Sequence, residues 1–361
     1  MELGSSAVAT PLGPLHQTNG ATMGVWFGCE LPDDFGDWIA EYGLLRQNVG
    51  LLDKNYRAYL EVTGPDRVRY LNAILTNDIK TLKEDHGTVS LFLNPQGHIQ
   101  AEMETHALKD MLLCVSHAMM RERLVSMMDK YIIMDDVTLT DATDKYATVA
   151  LEGPLAADVT FTVSKAELAV MENLESQEVR VGEIPCRLVK RAPGGIAAAE
   201  FLVAREQVEQ LWNVLIEAVR RLGGGPVGYK ALNALRLELD VPWFGYDFGE
   251  KQIPHEAGLQ DSHISYSKGC YMGQEIVERV RSRGQVNRVR VSLQFDGAEP
   301  TTNARLLADG KEVGYVTRVA FSPNRKTWIG MGYVRREKSV TGTVLQTDGG
   351  NATVVASPTA A

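Results

Sequence analysis

Residues 58–71 read AYLEVTGPDRVRYL, and residues 147–160 read ATVALEGPLAADVT. Each runs an alternating apolar stretch into Gly-Pro and then into a helix-compatible segment. Alternation at period two marks a half-buried strand. Proline suits the first helical position, where its missing N–H would have no intrahelical partner. The pattern therefore predicts strands closed by Gly64 and Gly153, with Pro65 and Pro154 opening two helices. Repetition of this grammar points to two related α+β halves. Two independent Gly-Pro turns are the alternative, since few residues are shared.

Away from these stretches, Val208, Leu211, Trp212, Leu215, Val219 and Leu222 recur at helical spacing, and the run Gly223-Gly224-Gly225-Pro226 stops that helix. The segment SHAMMRERLVSMMDKYIIM, 116–134, reads as a second amphipathic helix opened by Ser116. Its Met119, Met120, Met127 and Met128 suit either an adaptable binding face or core filling, and core filling is the commoner role. From Val286 the texture changes to short β-rich runs, VNRVRVSLQF, EVGYVTRVAF and TWIGMGYV, broken by Gly, Asn and Pro. These predict a small antiparallel barrel, with DGGNATVVASPTAA as a last hairpin and frayed end. The expected divisions are a flexible tail over 1–21, an α+β region over 22–284 with an internal boundary near 145, and a barrel over 285–361.

The chain has 361 residues, 44% hydrophobic and 23% charged, in the ordinary range for a globular protein of two or three domains. A net charge of −9 argues against general nucleic-acid binding, which needs a basic surface. No apolar run reaches the roughly 18 residues of a membrane helix, and the N-terminus is a poor signal peptide. Cys29, Cys114, Cys186 and Cys270 are widely separated, with no CxxC or Cys/His cluster. A disulfide framework and a single-segment zinc site are both disfavoured. Unpaired thiols in a reducing cytoplasm are expected, with no stably bound metal. No GxGxxG or P-loop motif is present, which disfavours a nucleotide-binding enzyme.

One cysteine stands out in SKGCYMGQEIVERVRSRG, 267–284. Ile276, Val277 and Val280 fall on one helical face, Gly284 suits the residue after a helix, and Arg281 and Arg283 suit its negative end. Cys270 then lies just before the helix, with Lys268 nearby, a setting that favours a thiolate. A buried cysteine in a glycine-tight turn is the competing reading. The run Arg279, Arg281, Arg283, Arg288 and Arg290 suits an acidic partner or a solvated face. Upstream, LRLELDVPWFGYDFGEKQIPHEAGL joins Trp243, Phe244, Tyr246 and Phe248 to Glu238, Glu250 and Glu256. Aromatic rings and carboxylates can hold a flat heterocycle such as a pterin; equally, the rings can cover a core edge.

KGCYMGQE, Lys268 to Glu275, with Arg279 following, resembles the signature of the YgfZ family of folate-dependent iron–sulfur proteins, within the superfamily of the glycine-cleavage T-protein, a tetrahydrofolate-dependent aminomethyltransferase. VTGPDRVRYLNAILTNDI, LFLNPQGHI, RLELDVPWFGYDF with PHEAGL, GYVTR and GMGYVRRE resemble further superfamily segments along most of the chain. The resemblance implies an α+β fold of two ferredoxin-like portions around a central folate pocket, plus a C-terminal β-barrel. It implies tetrahydrofolate as ligand, a cytosolic role in assembling or repairing iron–sulfur enzymes, and those enzymes as partners; a monomer is expected. Cys270 would be the functional thiol, with Lys268, Gln274, Glu275 and Arg279 around it. Glu238, Tyr246, Glu256, Asn94 and Tyr271 would contact the folate. T-proteins carry paired aspartates after the glycine turn, where this chain has Gln100 and Ala101. Alanine can neither move a proton nor stabilise developing charge, and Glu102, one residue on, would face the opposite side of a strand. The alternatives are a T-protein-like aminomethyltransferase or demethylase, and a non-catalytic scaffold with a structural cysteine.

Overall fold

The computed structural model describes residues 7–284 and 286–357, apart from the Arg283 side chain. The chain divides into two compact units, one of residues 1–72, 78–89 and 103–232, the other of 73–77, 90–102 and 233–361. The fold is α+β, with mixed sheets and a closed C-terminal barrel.

In the first unit a six-stranded sheet runs in the order Ser176–Val181, Ile184–Arg191, Ala198–Ala204, Tyr146–Glu152, Gly50–Asp53, Gly225–Pro226. A five-stranded sheet runs Gly87–Leu93, Ile99–Ala107, Leu112–His117, Arg57–Thr63, Thr138–Asp141, and its first two strands carry the chain from one unit into the other. The helix Val208–Arg221 buries Leu211, Trp212, Leu215 and Val219 against Val149, Leu151 and Phe201 of the six-stranded sheet. Gly223, at φ +77°, ends it, and Leu222 is left exposed.

The repeated grammar is realised with the same hydrogen bonds twice. Gly64 has φ +99° and Gly153 φ +129°. A Cβ on Gly64 would stand 2.2 Å from the Asp136 carbonyl oxygen, and one on Gly153 2.4 Å from that of Asn48. The same two carbonyls accept the N–H groups of Asp66 and Leu155, each two residues after its glycine, at 3.3 and 3.0 Å. Because those N–H groups are spent on the turn, the helices begin later than the prolines suggest, at Arg67 and Ala156.

Two expectations need correction. The segment expected as a flexible tail over 1–21 is structured from residue 8 onward, and residues 1–6 lie outside the described ones. Val8 pairs with Cys29, a short helix spans Gly13–Thr18, and Leu12 and His16 are fully buried. Asp53 holds this segment, accepting from Thr10 Oγ1 at 2.6 Å and lying 2.9 Å from His16 Nε2. Second, no helix opens at Ser116. Ser116 and His117 belong to the strand Leu112–His117, paired with Ala58 and Arg57. Their backbone is committed to the ladder, so the helix starts at Arg121 and ends at Asp129. Met120 and Met128 fill core with Leu124, whereas Ile133 and Met134, beyond the helix, are exposed.

In the second unit the barrel closes in the order Arg288–Gly297, Thr327–Arg335, Lys311–Ser322, Arg305–Ala308, Val344–Thr347, Gly350–Val355. Leu293, Phe295, Leu306, Val316, Val334 and Leu345 fill it. The last hairpin pairs Thr347 with Gly350, and the end expected to fray, 358–361, lies outside the described residues. A helix Tyr229–Glu238 leads into the aromatic loop, and the predicted helix before Gly284 is Gln274–Arg283.

The glycine turns set the clearest structural test. Gly64→Ala and Gly153→Ala each combine a positive φ with a backbone clash, so each is expected to cost about 2–3 kcal/mol in urea unfolding. Gly182→Ala, with nothing within 4 Å of its Cβ position, is the milder control.

Candidate functional site

The cysteine segment belongs wholly to the second unit. Gly273, at φ +78°, caps the helix Gln274–Arg283. A Cβ there would lie 2.8 Å from the Asn94 carbonyl oxygen, and a Cβ on Gly97 would lie 2.8 Å from Ile276 Cγ2. Two glycines thus let the 94–97 turn sit directly on the first turn of the helix. Asn94 shapes that turn, its Oδ1 accepting the N–H groups of Gln96 and His98 at 3.0 and 2.9 Å. Ahead of the helix, the buried Lys268 donates to the carbonyls of Leu75 and Asn77 at 2.6 and 2.7 Å, and Met272 N–H reaches the Ala73 carbonyl. Cys270 lies between these two ties and is exposed, which removes the buried-thiol reading. The other three cysteines are buried, and burial raises Cys29 to about 11 and Cys114 and Cys186 to about 12.

The remaining motif residues surround this segment in different ways. Lys268, expected beside the sulfur as a charge, has its ammonium on two carbonyls and 5.3 Å from the Tyr271 ring centre, so it fixes the loop's path. Tyr271 is buried, its hydroxyl has no hydrogen-bond partner, and burial pushes its ionisation upward. Glu275 and Arg279 pair with each other at 2.8 Å on the exposed helix face, and Gln274 N–H caps onto the Tyr271 carbonyl. The basic run is dispersed: Arg290 is drawn inward onto Asp240 and the Ala257 carbonyl, Arg281 lies over the Tyr266 ring, and the Arg283 side chain lies outside the described residues.

A second group in this unit is built from the end of the helix Tyr229–Glu238 and the aromatic loop. Arg236 is buried and bonded to Asp247, which also accepts from Trp243 N–H and Thr317 Oγ1 at 2.9 Å each. The Arg236 guanidinium lies 4.4 Å from the Trp243 ring centre, Arg318 lies 4.3 Å from that of Tyr246, and the two rings are 6.0 Å apart. Arg236 Nη2 is buried with no hydrogen-bond partner. An orphaned guanidinium donor beside two aromatic faces suits the acceptor edge of a flat heterocycle. Phe244 and Phe248 are buried against each other and cover core instead. Glu238 is buried and accepts from Ser322 Oγ. Glu256 closes onto Ile253 N–H at 3.2 Å, and burial raises its carboxyl.

Ala101 is fully buried. Glu102, next along the strand, lies 3.0 Å from His263 Nε2, and His263 Nδ1 lies 2.7 Å from Ser262 Oγ. Thr76 Oγ1 donates to the His263 carbonyl, which holds that residue in place.

The first unit contains a charged group absent from the sequence reading. Arg57 reaches Glu200 at 2.7 Å and Glu104 at 3.9 Å, Arg191 pairs with Glu104 and lies 3.8 Å from Glu200, and His106 Nε2 lies 2.6 Å from Glu104. Burial alone would raise the Glu104 carboxyl, but Arg191, His106 and Arg57 hold it well below the usual range. Beside it opens a cleft of about 830 Å³ lined by Tyr146, Lys165, Cys186 and Arg187 among others. Leu113, Arg187 and Leu202 belong both to this cleft and to a smaller buried cavity reaching Arg57, Tyr59, His106 and Glu200. A cleft of this size is ligand-sized.

Residues 12–263 match the GCVT N-terminal domain and residues 288–360 the glycine cleavage T-protein C-terminal barrel domain. The chain belongs to the glycine cleavage T-protein family. It is 26% identical over 336 residues to an aminomethyltransferase of Halalkalibacterium halodurans, covering 92% of each chain. It is 28% identical over 334 residues to one of Acidobacterium capsulatum, covering 91% of this chain and 88% of the relative. Its fold matches the crystal structure of glycine cleavage system aminomethyltransferase T from Bartonella henselae with a TM-score of 0.88, at 22% identity and 98% coverage of both chains. Among the described residues no helix is long and apolar enough to cross a membrane.

Two outcomes follow. A thiol reagent should titrate one cysteine in the native protein, none in Cys270→Ser, and four in unfolded wild type, as read by absorbance. Glu104 has a folded pKa below its unfolded one, so its stabilisation is present above the ordinary glutamate value of 4.5 and is lost as pH falls through the folded value. Glu104→Gln should cost about 3–5 kcal/mol at pH 7, and urea midpoints should fall less steeply below pH 4.5 than in wild type.

Proposed function

We propose that this chain binds tetrahydrofolate or a one-carbon derivative of it, and that the Cys270 thiol serves the assembly or repair of iron–sulfur enzymes in the cytoplasm, as in the YgfZ branch of the T-protein family. The observation that carries this reading is the exposed Cys270, tied in place by Lys268 and Met272 within the KGCYMGQE motif. Ala101 supports it from the other side: aminomethyl transfer needs a group that can take a proton or face a developing cation, and a buried methyl does neither.

The residues present fit a pterin. The partnerless Nη2 of Arg236 would donate to its acceptor edge, the edges of Trp243 and Tyr246 would flank it, and Glu238 or Glu256 would accept from its amino group. A reduced folate supplies a carrier for one-carbon units when bound. The thiol's task is separate: it presents an accessible sulfur nucleophile or ligand to the iron–sulfur partner, with the chain acting as a monomer.

A second reading, a tetrahydrofolate-dependent aminomethyltransferase, is favoured over the iron–sulfur role by the named relatives. Within the chain it would rest on Glu102 and His263, an acid–base pair 3.0 Å apart beside Ala101.

Calorimetric titration with tetrahydrofolate under strict exclusion of oxygen tests the shared part. Saturable binding by both wild type and Cys270→Ser is expected, and no binding by folded wild type would remove the folate claim. Reactivation of an iron–sulfur enzyme by wild type but not by Cys270→Ser is expected next. Turnover of an aminomethyl donor that survives Cys270→Ser and is lost in Glu102→Gln would establish the transferase instead.

A further inference from the structure

A cavity of about 390 Å³ in the second unit belongs to none of the groups above. It is lined by His255, Gln260, Asp261, Tyr266, Arg281 and Arg336, with Val280, Val286 and Val289 as its apolar part. Its chemistry is divided. Two guanidiniums, Arg281 and Arg336, provide cationic donors. Arg281 is oriented by the Tyr266 ring, 4.2 Å away, and by the Glu278 carboxylate at 3.6 Å, and Arg336 by a bond to the Gly284 carbonyl. Against them stand acceptors: the Asp261 carboxylate, and Gln260 Oε1, which is buried and has no partner. The Gln260 amide is oriented by donating its Nε2 to Asp261 Oδ2 at 3.1 Å, which leaves Oε1 as an acceptor only. His255 Nε2 is engaged by the Tyr266 hydroxyl at 3.1 Å, while its Nδ1 is buried and unpartnered. Burial lowers the His255 pKa, which favours the neutral ring with one hydrogen bond still to make.

Two residues of the lining, Gln260 and His255, each keep a buried polar atom without a partner behind the cavity wall, and such atoms call for an explanation. A simple anion would satisfy the arginines but would face Asp261 with like charge and compete with Glu278 for Arg281. A simple amine would meet the reverse conflict. We propose that this cavity binds a free α-amino acid with an aliphatic side chain. Its carboxylate faces Arg281 and Arg336, its ammonium faces Asp261, and its side chain lies on the three valines. The site is independent of folate and of Cys270.

The test is calorimetry and saturation-transfer NMR on the full chain with the aliphatic amino acids. Valine is compared with isobutylamine and isovalerate, which each lack one of its charged groups. At least one amino acid should bind saturably, and its single-charge analogues should bind at least about tenfold more weakly. Asp261→Asn and Arg336→Gln should each weaken binding by about tenfold or more, with unchanged circular dichroism and thermal midpoint, since both side chains stand at the exposed rim. Absence of saturable binding by every amino acid, equal binding of the analogues, or indifference to both substitutions would overturn the proposal. None of these outcomes bears on tetrahydrofolate binding.

Discussion

Two buried carboxylates and two half-buried guanidiniums join the sheets of the larger unit. Arg57 and Glu104 come from the five-stranded sheet, and Arg191 and Glu200 from the six-stranded one. Isolated charges in such a place would be strongly unfavourable, so each depends on the others for its presence. That dependence gives the contact a fixed register. A one-residue slip of either strand would turn its charge to the opposite face and leave the partner uncompensated. Tyr59 and Thr148, bonded at 2.6 Å across the same sheets, add a neutral pair that obeys the same rule. Apolar packing alone, as between the helix Val208–Arg221 and its sheet, would tolerate more sliding.

The smaller unit positions its exposed thiol by a different device. Here close approach of backbone does the aligning: Gly97 against Ile276, and Gly273 against the Asn94 carbonyl. The lysine of the motif then holds the incoming loop from beneath through two carbonyls. The cysteine is left as the outward point of a segment fixed on both sides. A loop held this way has little conformational freedom left to lose.

How much of this could be read in the sequence depended on whether the signal was local. The glycine turns, the helix Val208–Arg221, the helix ahead of Gly284 and the change of texture into the barrel all announce themselves through nearest neighbours. The motif around Cys270 was legible for the same reason, although its lysine proved to hold carbonyls from the distant 73–77 segment. The buried charges were not legible. Glu104 and His106 carry no local signal of their role; only the opposing Arg191 and Glu200, nearly a hundred residues on, make their strand face part of an interior. The N-terminal segment misled by composition, because Gly, Ser, Thr and Pro hide the two residues, Leu12 and His16, that anchor it. Ser116 misled because a good cap residue is equally at home in a strand once a neighbouring strand claims its backbone.

The barrel and the sheets differ in one further respect. A closed barrel has no unpaired rim of N–H and C=O groups, whereas each sheet of the larger unit ends in strands that do. Three of those ends are guarded. Ser176–Val181 carries Glu178 and Arg180 outward, Thr138–Asp141 ends in a charge, and Gly225–Pro226 is two residues long with a proline that cannot donate. Protection against strand-to-strand association between molecules is therefore structural in the smaller unit and chemical in the larger. Neutralising a few edge charges would expose the larger unit to self-association and leave the barrel indifferent.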